Sequence, residues 1–309
     1  MLRVLTNSTS NEISRKTTPI FCYNASMIID VHAHIFPPRV KNNRDKYIEL
    51  DPLFKLLYSN PKARLVDADD LIAAMDEQSI DKSVVLNIAW SSADLCHETN
   101  SYILESVSRF PSRLVGFGMI TLDSPQSALK EVEFCIQNGL KGIGEIRPSK
   151  RLLDNLVLWD PIITKLVENN LILLTHSSEP LGHNYPGKGD ITPDSLFSFI
   201  VKFQGLKLIC AHWGGGLPFY ALMPEVKKSL KNVFFDTAAS PYLYSPEIYD
   251  RVVDLIGPEK ILFGTDYPLL PAKRYLKEID SLNIEVKLKK QILGENAKQL
   301  LGIKGSDNK

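Results

Sequence analysis

Two histidines at the end of an apolar segment could bind a metal ion. Residues 27–38 read MIIDVHAHIFPP and contain His32 and His34. Successive side chains of a β-strand point to opposite faces, so both imidazoles would lie on one face, about 6–7 Å apart along the strand. Neutral imidazole is the commonest protein ligand for zinc and related ions. Taken alone, the pair is equally compatible with two ordinary surface or core histidines.

Further side chains that could bind a metal or transfer protons stand at the ends of other predicted strands. They are Glu145, His176, His212, Asp236 and Asp266. The chain has six histidines, and only His97 and His183 fall outside these strand ends. A random distribution would rarely produce this pattern, which therefore favours one shared site.

The elements that would position these residues alternate between strand and helix. Eight apolar segments predict strands, each followed by a helix, and after the first they lie at 82–89, 114–120, 141–146, 171–176, 206–212, 232–238 and 261–266. Apolar strands alternating with amphipathic helices indicate a parallel sheet that is covered on both faces. Eight such units predict an α/β fold, a closed (β/α)8 TIM barrel with its active site at the carboxyl ends of the strands. An open doubly wound sheet is the alternative, although no GxGxxG follows the first strand.

The segment from 35 to 67 contains four prolines and little periodicity. A loop of this length inside a compact domain is usually functional. We therefore predict an irregular loop here that acts as a lid over the site.

Composition narrows the class of partner. The chain has 309 residues, with 36 Lys and Arg against 36 Asp and Glu, and 44% of its residues are hydrophobic. This neutral balance argues against a nucleic-acid or acidic-membrane partner, and no apolar run reaches the roughly 18 residues of a spanning helix. Four cysteines without CxxC spacing indicate reduced thiols and a cytoplasmic setting.

The ends of the chain differ from the segment between them. Residues 1–26 are rich in Ser, Thr and Asn and predict a disordered extension or a mis-annotated start ahead of Met27, with a transit peptide as a weaker alternative. Residues 27–303 predict a single domain, and 304–309 a polar tail.

The strand-end residues suggest a specific chemistry. A metal bound by His32, His34, His176 and Asp266 would have mixed nitrogen and oxygen ligands, which suits Zn²⁺, with iron, manganese and cobalt as alternatives. The pKa of zinc-bound water falls from about 9 in aqueous zinc to about 7 in a protein site, and the resulting hydroxide could attack an electrophilic carbon. His212 would act as a general acid or base or polarise a carbonyl, or else serve as a fifth ligand. Asp266 could also take a proton from the bound water.

Five motifs in this order resemble those of the amidohydrolase superfamily, and within it the amidohydrolase-related family of metal-dependent hydrolases and nonoxidative decarboxylases. They are IDVHAHI, the TH at His176, AHWGGG around His212, FGTDYP around Asp266 and ENAKQLLGI near the carboxyl terminus. The similarity extends from 27 to 303. It implies a barrel with His32, His34, His176 and Asp266 as metal ligands and His212 as a catalytic residue, and it makes a homodimer plausible.

Glu145 departs from the pattern of many members of this superfamily. Binuclear members often carry a bridging carboxylated lysine on the fourth strand, which here reads KGIGEI. Glutamate at this position resembles the bridging carboxylate of the deoxyribonuclease-like hydrolases and implies a possible second metal. The alternative is that Glu145 orients a ligand histidine.

Three further residues are candidates for substrate binding. Arg147 and Arg39 could each hold a substrate carboxylate, although either could equally be an ordinary surface arginine. Trp213 could line the pocket or simply pack in the core.

The leading functional hypothesis is a metal-dependent hydrolase that cleaves a C–N or C–O bond of a small carboxylated or cyclic molecule. The alternative is a nonoxidative decarboxylase (carboxy-lyase) on the same scaffold. A non-catalytic binding or scaffolding barrel is a third hypothesis, which the complete set of expected ligands disfavours.

Overall fold

Eight parallel strands form one sheet in sequence order, and this sheet closes on itself. The computed structural model describes residues 27–122 and 124–304. The strands are β1 (Ile29–His34), β2 (Lys82–Leu86), β3 (Leu114–Gly118), β4 (Gly142–Ile146), β5 (Ile172–Thr175), β6 (Lys207–Cys210), β7 (Val233–Asp236) and β8 (Ile261–Leu262). The Val31 amide donates to the Phe263 carbonyl at 2.8 Å, and the Asp266 amide donates to the His32 carbonyl at 2.9 Å. These bonds close the ring, so the predicted (β/α)8 barrel is confirmed.

Helices surround the barrel. The α-helices are Pro38–Asn42, Arg44–Leu50, Pro52–Tyr58, Ala68–Gln78, Ala93–Arg109, Pro125–Gln137, Lys150–Leu153, Leu156–Glu168, Pro193–Lys202, Pro224–Ser229, Ser240–Leu243, Ile248–Ile256, Ala272–Ser281, Val286–Lys290 and Asn296–Leu300. Segments of 3-10 helix lie at Leu217–Leu222, Leu230–Asn232 and Pro258–Lys260, and a π-helical segment lies at Gln291–Glu295. The turn Ala211–Gly214 follows β6. Within the described ranges, no helix is long and apolar enough to cross a membrane.

The prediction of an irregular loop over 35–67 was wrong, because this segment contains the first three short helices. Pro38 and Pro52 occupy the first turns of two of them, where a missing amide hydrogen costs nothing. The Asp51 carboxylate accepts a hydrogen bond from the Phe54 amide at 2.8 Å and caps the third helix. Phe54 is fully buried, so packing stabilises helices that the sequence periodicity does not reveal. The role as a lid stays a prediction.

Strand side chains alternate between two packed layers. Leu173 and Leu208 belong to a cluster that includes the apolar faces of the outer helices. Their neighbours Ile172, Leu174 and Ile209 belong to a second cluster. Because successive strand residues point to opposite faces, the strand residues of the second cluster face the inside of the barrel, while those of the first lie beneath the helices. Burial of each such side chain contributes about 1.5–3 kcal/mol.

Strand register brings the carboxyl ends of the strands to one edge. Ile146 is paired with Thr175, and Thr175 is paired with Cys210. Glu145 and His176 therefore lie at the same level of the barrel. The predicted extension at 1–26 lies outside the described residues, as does the polar tail beyond Lys304.

Candidate metal centre

Two histidines of β1 and an aspartate that follows β8 converge at the carboxyl end of the barrel. His32 Nε2 and His34 Nε2 are 3.1 Å apart. Asp266 Oδ1 lies 3.0 Å from His34 Nε2 and 3.7 Å from His32 Nε2. Both imidazoles are buried, and these three side chains form a group that could hold a metal ion.

Asp236 orients the first of these histidines. His32 Nδ1 lies 2.8 Å from Asp236 Oδ2, so Nδ1 donates its hydrogen to the carboxylate and the lone pair of Nε2 faces His34. The other oxygen, Asp236 Oδ1, accepts from the amides of His212 at 2.8 Å and Ala238 at 3.0 Å. Carboxylates in this position fix the tautomer of a metal-binding histidine and raise its basicity. The position of Asp236 at a strand end was visible in the sequence, but this role was not.

The donor atoms fit a divalent cation. Two ring nitrogens 3.1 Å apart can share at most one proton. Burial opposes protonation of His32, but the Asp236 and Glu145 carboxylates hold the pKa of His32 well above its usual value. A positive charge at Nε2 is therefore favoured, and a metal cation can supply it in place of a proton. Two imidazole nitrogens and one carboxylate oxygen are ligands that zinc, manganese and iron all accept.

Glu145 joins this group to a second one. Glu145 Oε1 lies 2.9 Å from His176 Nδ1 and 3.4 Å from His212 Nε2. Glu145 Oε2 lies 3.8 Å from Nε2 of both His32 and His34. Glu145, His176 and His212 form a second group that could hold a metal ion. One buried carboxylate thus lies among four imidazoles, and His176 is grouped with Glu145 rather than with the other three predicted ligands.

The buried charges give the two histidines of the second group different pKa values. Burial and the nearby Arg147 guanidinium lower the pKa of His176 to about 3. Burial also disfavours protonation of His212, but the Glu145 hydrogen bond and the Asp266 charge outweigh it and raise the pKa of His212 to about 9. Burial opposes ionisation of Glu145, yet His176 and the neighbouring imidazoles hold the pKa of Glu145 well below its usual value. A neutral, ligand-type imidazole and a cationic one therefore lie on either side of Glu145.

Left-handed backbone positions His212 and Asp266. Their φ angles are 56° and 60°, and Trp213 has a φ of 57°. Non-glycine residues in this conformation cost about 1–3 kcal/mol each and are concentrated at functional sites. The ring of His212 is held by Nδ1, which lies 3.1 Å from the Ala238 carbonyl oxygen.

Asp30 connects the first and last strands beneath the site, a role that the sequence did not reveal. Its carboxylate accepts hydrogen bonds from the His32 amide at 3.0 Å, the Thr265 amide at 3.0 Å and the Thr265 hydroxyl at 2.6 Å. Burial raises the pKa of Asp30 to about 6. Because His32 and Thr265 flank the metal-binding group, Asp30 fixes the distance between β1 and the segment that carries Asp266.

The three residues predicted to bind substrate lie in different environments. Arg147 Nη1 is 3.4 Å from His176 Nδ1, so Arg147 contacts the cluster. Arg39 is exposed and forms an ion pair with Glu98. Trp213 is fully buried and donates to the Ser240 hydroxyl at 2.9 Å.

A family model described as amidohydrolase matches residues 29–303. The chain belongs to the amidohydrolase family. A relative from Dictyostelium discoideum, 2-amino-3-carboxymuconate-6-semialdehyde decarboxylase, is 24% identical, with 90% of this chain and 92% of the relative covered.

Solved structures share the fold, and several of them are decarboxylases. 5-Carboxyvanillate decarboxylase from Sphingomonas paucimobilis has a TM-score of 0.75 at 19% identity, with 91% of this chain and 100% of the other covered. A dihydroxybenzoic acid decarboxylase from Polaromonas sp., solved with manganese and the inhibitor 2-nitroresorcinol, has a TM-score of 0.69 at 19% identity, covering 90% and 97%.

These comparisons confirm the predicted family and favour the alternative functional hypothesis. The relatives described above are decarboxylases by name, and none of them supports the leading hypothesis of a hydrolase. The ligand groups agree with a divalent metal site, whereas the specific prediction of zinc gains no support from a relative that binds manganese.

Proposed function

We propose that this protein is a metal-dependent nonoxidative decarboxylase of a small aromatic or cyclic carboxylic acid. The observation that carries the proposal is the environment of His212, whose two ring nitrogens both face acceptors, the Ala238 carbonyl and Glu145. This is the arrangement of a doubly protonated imidazolium. Decarboxylation replaces the carboxylate on the substrate carbon with a proton, so a decarboxylase needs such a donor.

The metal would be held by His32, His34 and Asp266, with His176 as the fourth predicted ligand. When bound, a divalent cation polarises the substrate oxygen atoms that it contacts. Asp236 keeps the lone pair of His32 directed toward the ligand group. In this proposal the bound metal is either zinc or manganese.

In this proposal His212 is the proton donor. Its Nε2 donates a proton to the substrate carbon that bears the carboxylate, and the bond from that carbon to the carboxylate then breaks. The electron pair of this bond stays with the substrate, CO₂ leaves, and solvent restores the proton on His212. The net change is R–COO⁻ + H⁺ → R–H + CO₂.

The position of Glu145 keeps the hydrolase as a second candidate. Its two oxygens contact both ligand groups, as a carboxylate bridging two metals would. Elemental analysis of protein purified without added metal distinguishes the two roles. Two equivalents per chain, falling to one in Glu145→Gln, would make Glu145 a bridge, and one equivalent would make it the residue that orients His176.

Incubation with carboxylated aromatics tests the proposal. We expect metal-loaded protein to release CO₂ from at least one acid in a panel that includes 5-carboxyvanillate and dihydroxybenzoates. Parallel incubations with cyclic amides and lactones in ¹⁸O-labelled water report hydrolysis. Label incorporation into product without CO₂ release from any acid would contradict the decarboxylase.

A further inference from the structure

Two polar atoms of opposite charge are buried beside the histidine cluster. Arg147 Nη2 and Glu179 Oε1 are both inaccessible to solvent and form no hydrogen bond with the part of the chain that the structure describes. Leaving a buried polar group without a hydrogen-bond partner destabilises the folded protein, and more strongly when the group is charged. Such groups are rare in native proteins and require an explanation, which a bound substrate would supply.

Arg147 lies directly beyond β4 and next to the proposed metal centre, with Nη1 3.4 Å from His176 Nδ1. Gly187 covers the guanidinium from the loop that follows β5. A Cβ at Gly187 would lie 3.6 Å from Arg147 Nη2, and its φ of 94° favours glycine. The unpartnered nitrogen therefore lies between this loop and the histidines, where a carboxylate could form the bidentate pair that guanidinium prefers.

Glu179 belongs to the same loop, and in the described part of the chain only one of its two carboxylate oxygens accepts a hydrogen bond. Its Oε2 accepts a hydrogen bond from the Tyr185 hydroxyl at 3.1 Å. Burial and the Glu179 carboxylate also raise the pKa of Tyr244, while Oε1 has no donor within hydrogen-bond distance among the described residues. Burial and the Glu179 charge together raise the pKa of Tyr185, while the Arg147 charge lowers it. The charges of Glu179 and Arg147 therefore both act on Tyr185, which places the two charged groups in the same region.

Ser178 anchors this loop to the cluster. Its hydroxyl oxygen lies 3.0 Å from His176 Nε2 and accepts a hydrogen bond from the Gly189 amide at 2.9 Å. Glu179 is the next residue along the chain. The loop from 178 to 189 is thus fixed over the site at both ends, and Glu179 is preorganised rather than free to turn to solvent.

We propose that Arg147 and Glu179 together select the substrate. Arg147 binds a carboxylate, and Glu179 accepts a hydrogen bond from an amino or hydroxyl group of the same molecule. The substrate class is therefore an amino- or hydroxy-substituted carboxylic acid. The inference rests on the proposed function for the reaction that follows binding, but binding can be measured separately.

Calorimetric titration of the metal-loaded, full-length protein with two probes tests the role of Glu179. Benzoate and 3-aminobenzoate differ only in the hydrogen-bond donor. We expect 3-aminobenzoate to bind about tenfold more tightly, the effect of one hydrogen bond to a charged group. In Glu179→Gln the ratio should fall to about threefold or less. Glu168→Gln, a matched change at an exposed residue, should leave the ratio unchanged.

The role of Arg147 has a different signature. Lysine retains the charge but loses the planar pair of donors, so Arg147→Lys should weaken both probes by about tenfold without changing their ratio. The exposed Arg151 provides the control, Arg151→Lys. Tyr185→Phe is a second test of the Glu179 acceptor, since it removes the hydrogen bond that holds the Glu179 carboxylate in place and should reduce the ratio even if Glu179→Gln does not fold.

The outcomes separate this inference from the proposed function. Equal affinities for the two probes in the wild-type protein, or a ratio that survives both Glu179→Gln and Tyr185→Phe, would overturn the inference even if CO₂ is released from panel acids. A donor-dependent ratio that Glu179→Gln abolishes would support it, even if no acid in the panel is decarboxylated and the proposed function fails.

Discussion

Asp236→Asn should lower metal affinity through the tautomer of His32. The asparagine carbonyl can keep the position of Oδ1 and accept from the His212 and Ala238 amides, as Asp236 does at 2.8 and 3.0 Å. Its NH₂ group then replaces Oδ2, which lies 2.8 Å from His32 Nδ1. Two donors cannot share a hydrogen bond, so Nδ1 must become the acceptor and the hydrogen moves to Nε2. That hydrogen would point at His34, where the lone pair is needed for the metal.

The expected loss of metal affinity in Asp236→Asn falls within a known range. Removing a carboxylate that orients a ligand histidine typically costs 10–100-fold in metal affinity, which corresponds to about 1.4–2.7 kcal/mol. The side-chain volume and both backbone hydrogen bonds are retained, so we expect the variant to fold.

Competition with a chromophoric chelator measures the affinity, and thermal unfolding of the metal-free proteins reports folding. Asp254→Asn, at an exposed position, is the matched control and should match wild type in both assays. A folded Asp236→Asn protein with unchanged metal affinity would refute the argument that Asp236 fixes the ligand tautomer of His32.

Three further substitutions test separate parts of the site. His212→Asn should retain metal by elemental analysis while kcat falls about 10²–10⁴-fold, and unchanged turnover would exclude His212 as the proton donor. His176→Ala should lose bound metal, and full occupancy would remove His176 from the ligand set. Gly215→Ala should lower the free energy of unfolding by more than about 1 kcal/mol, because φ is 60° and the new Cβ would lie 2.3 Å from the Ser178 carbonyl oxygen. Gly182→Ala, where φ is also positive but the space is open, should cost less, and equal losses would contradict the steric reason.

The sequence was sufficient to predict the barrel and the position of most candidate site residues at one edge of it, because both follow from short-range periodicity. Two histidines two residues apart must share a face of a strand, and parallel strands must end at one edge. His32 and His34 are therefore adjacent in the structure, and Asp266 joins them because it follows the carboxyl end of the last strand, which lies beside the first.

What the sequence did not reveal depends on contacts between distant segments. Asp30 and Asp236 act through hydrogen bonds to residues up to 235 positions away, and a lone aspartate at a strand end carries no local signal of such a bond. The helices within 35–67 form because Phe54 packs in the core and Asp51 caps a turn, which short apolar stretches between prolines do not indicate.

The contacts of His176 also could not be predicted from the sequence. Its strand position predicted a ligand at the edge of the barrel, and the structure confirms that location. Which atoms it contacts is set by Glu145 and Ser178, at 2.9 and 3.0 Å from its two ring nitrogens. The loop that contributes Ser178 has no periodicity from which its fold could be predicted.

The most direct test of the decarboxylase is the reaction in D₂O, with a panel acid that the metal-loaded protein converts. We expect one deuterium at the carbon that carried the carboxylate for each CO₂ released, with both falling in parallel in His212→Asn. Hydrolytic incorporation of solvent oxygen without CO₂ release, or CO₂ release undiminished in a folded, metal-loaded His212→Asn protein, would contradict it.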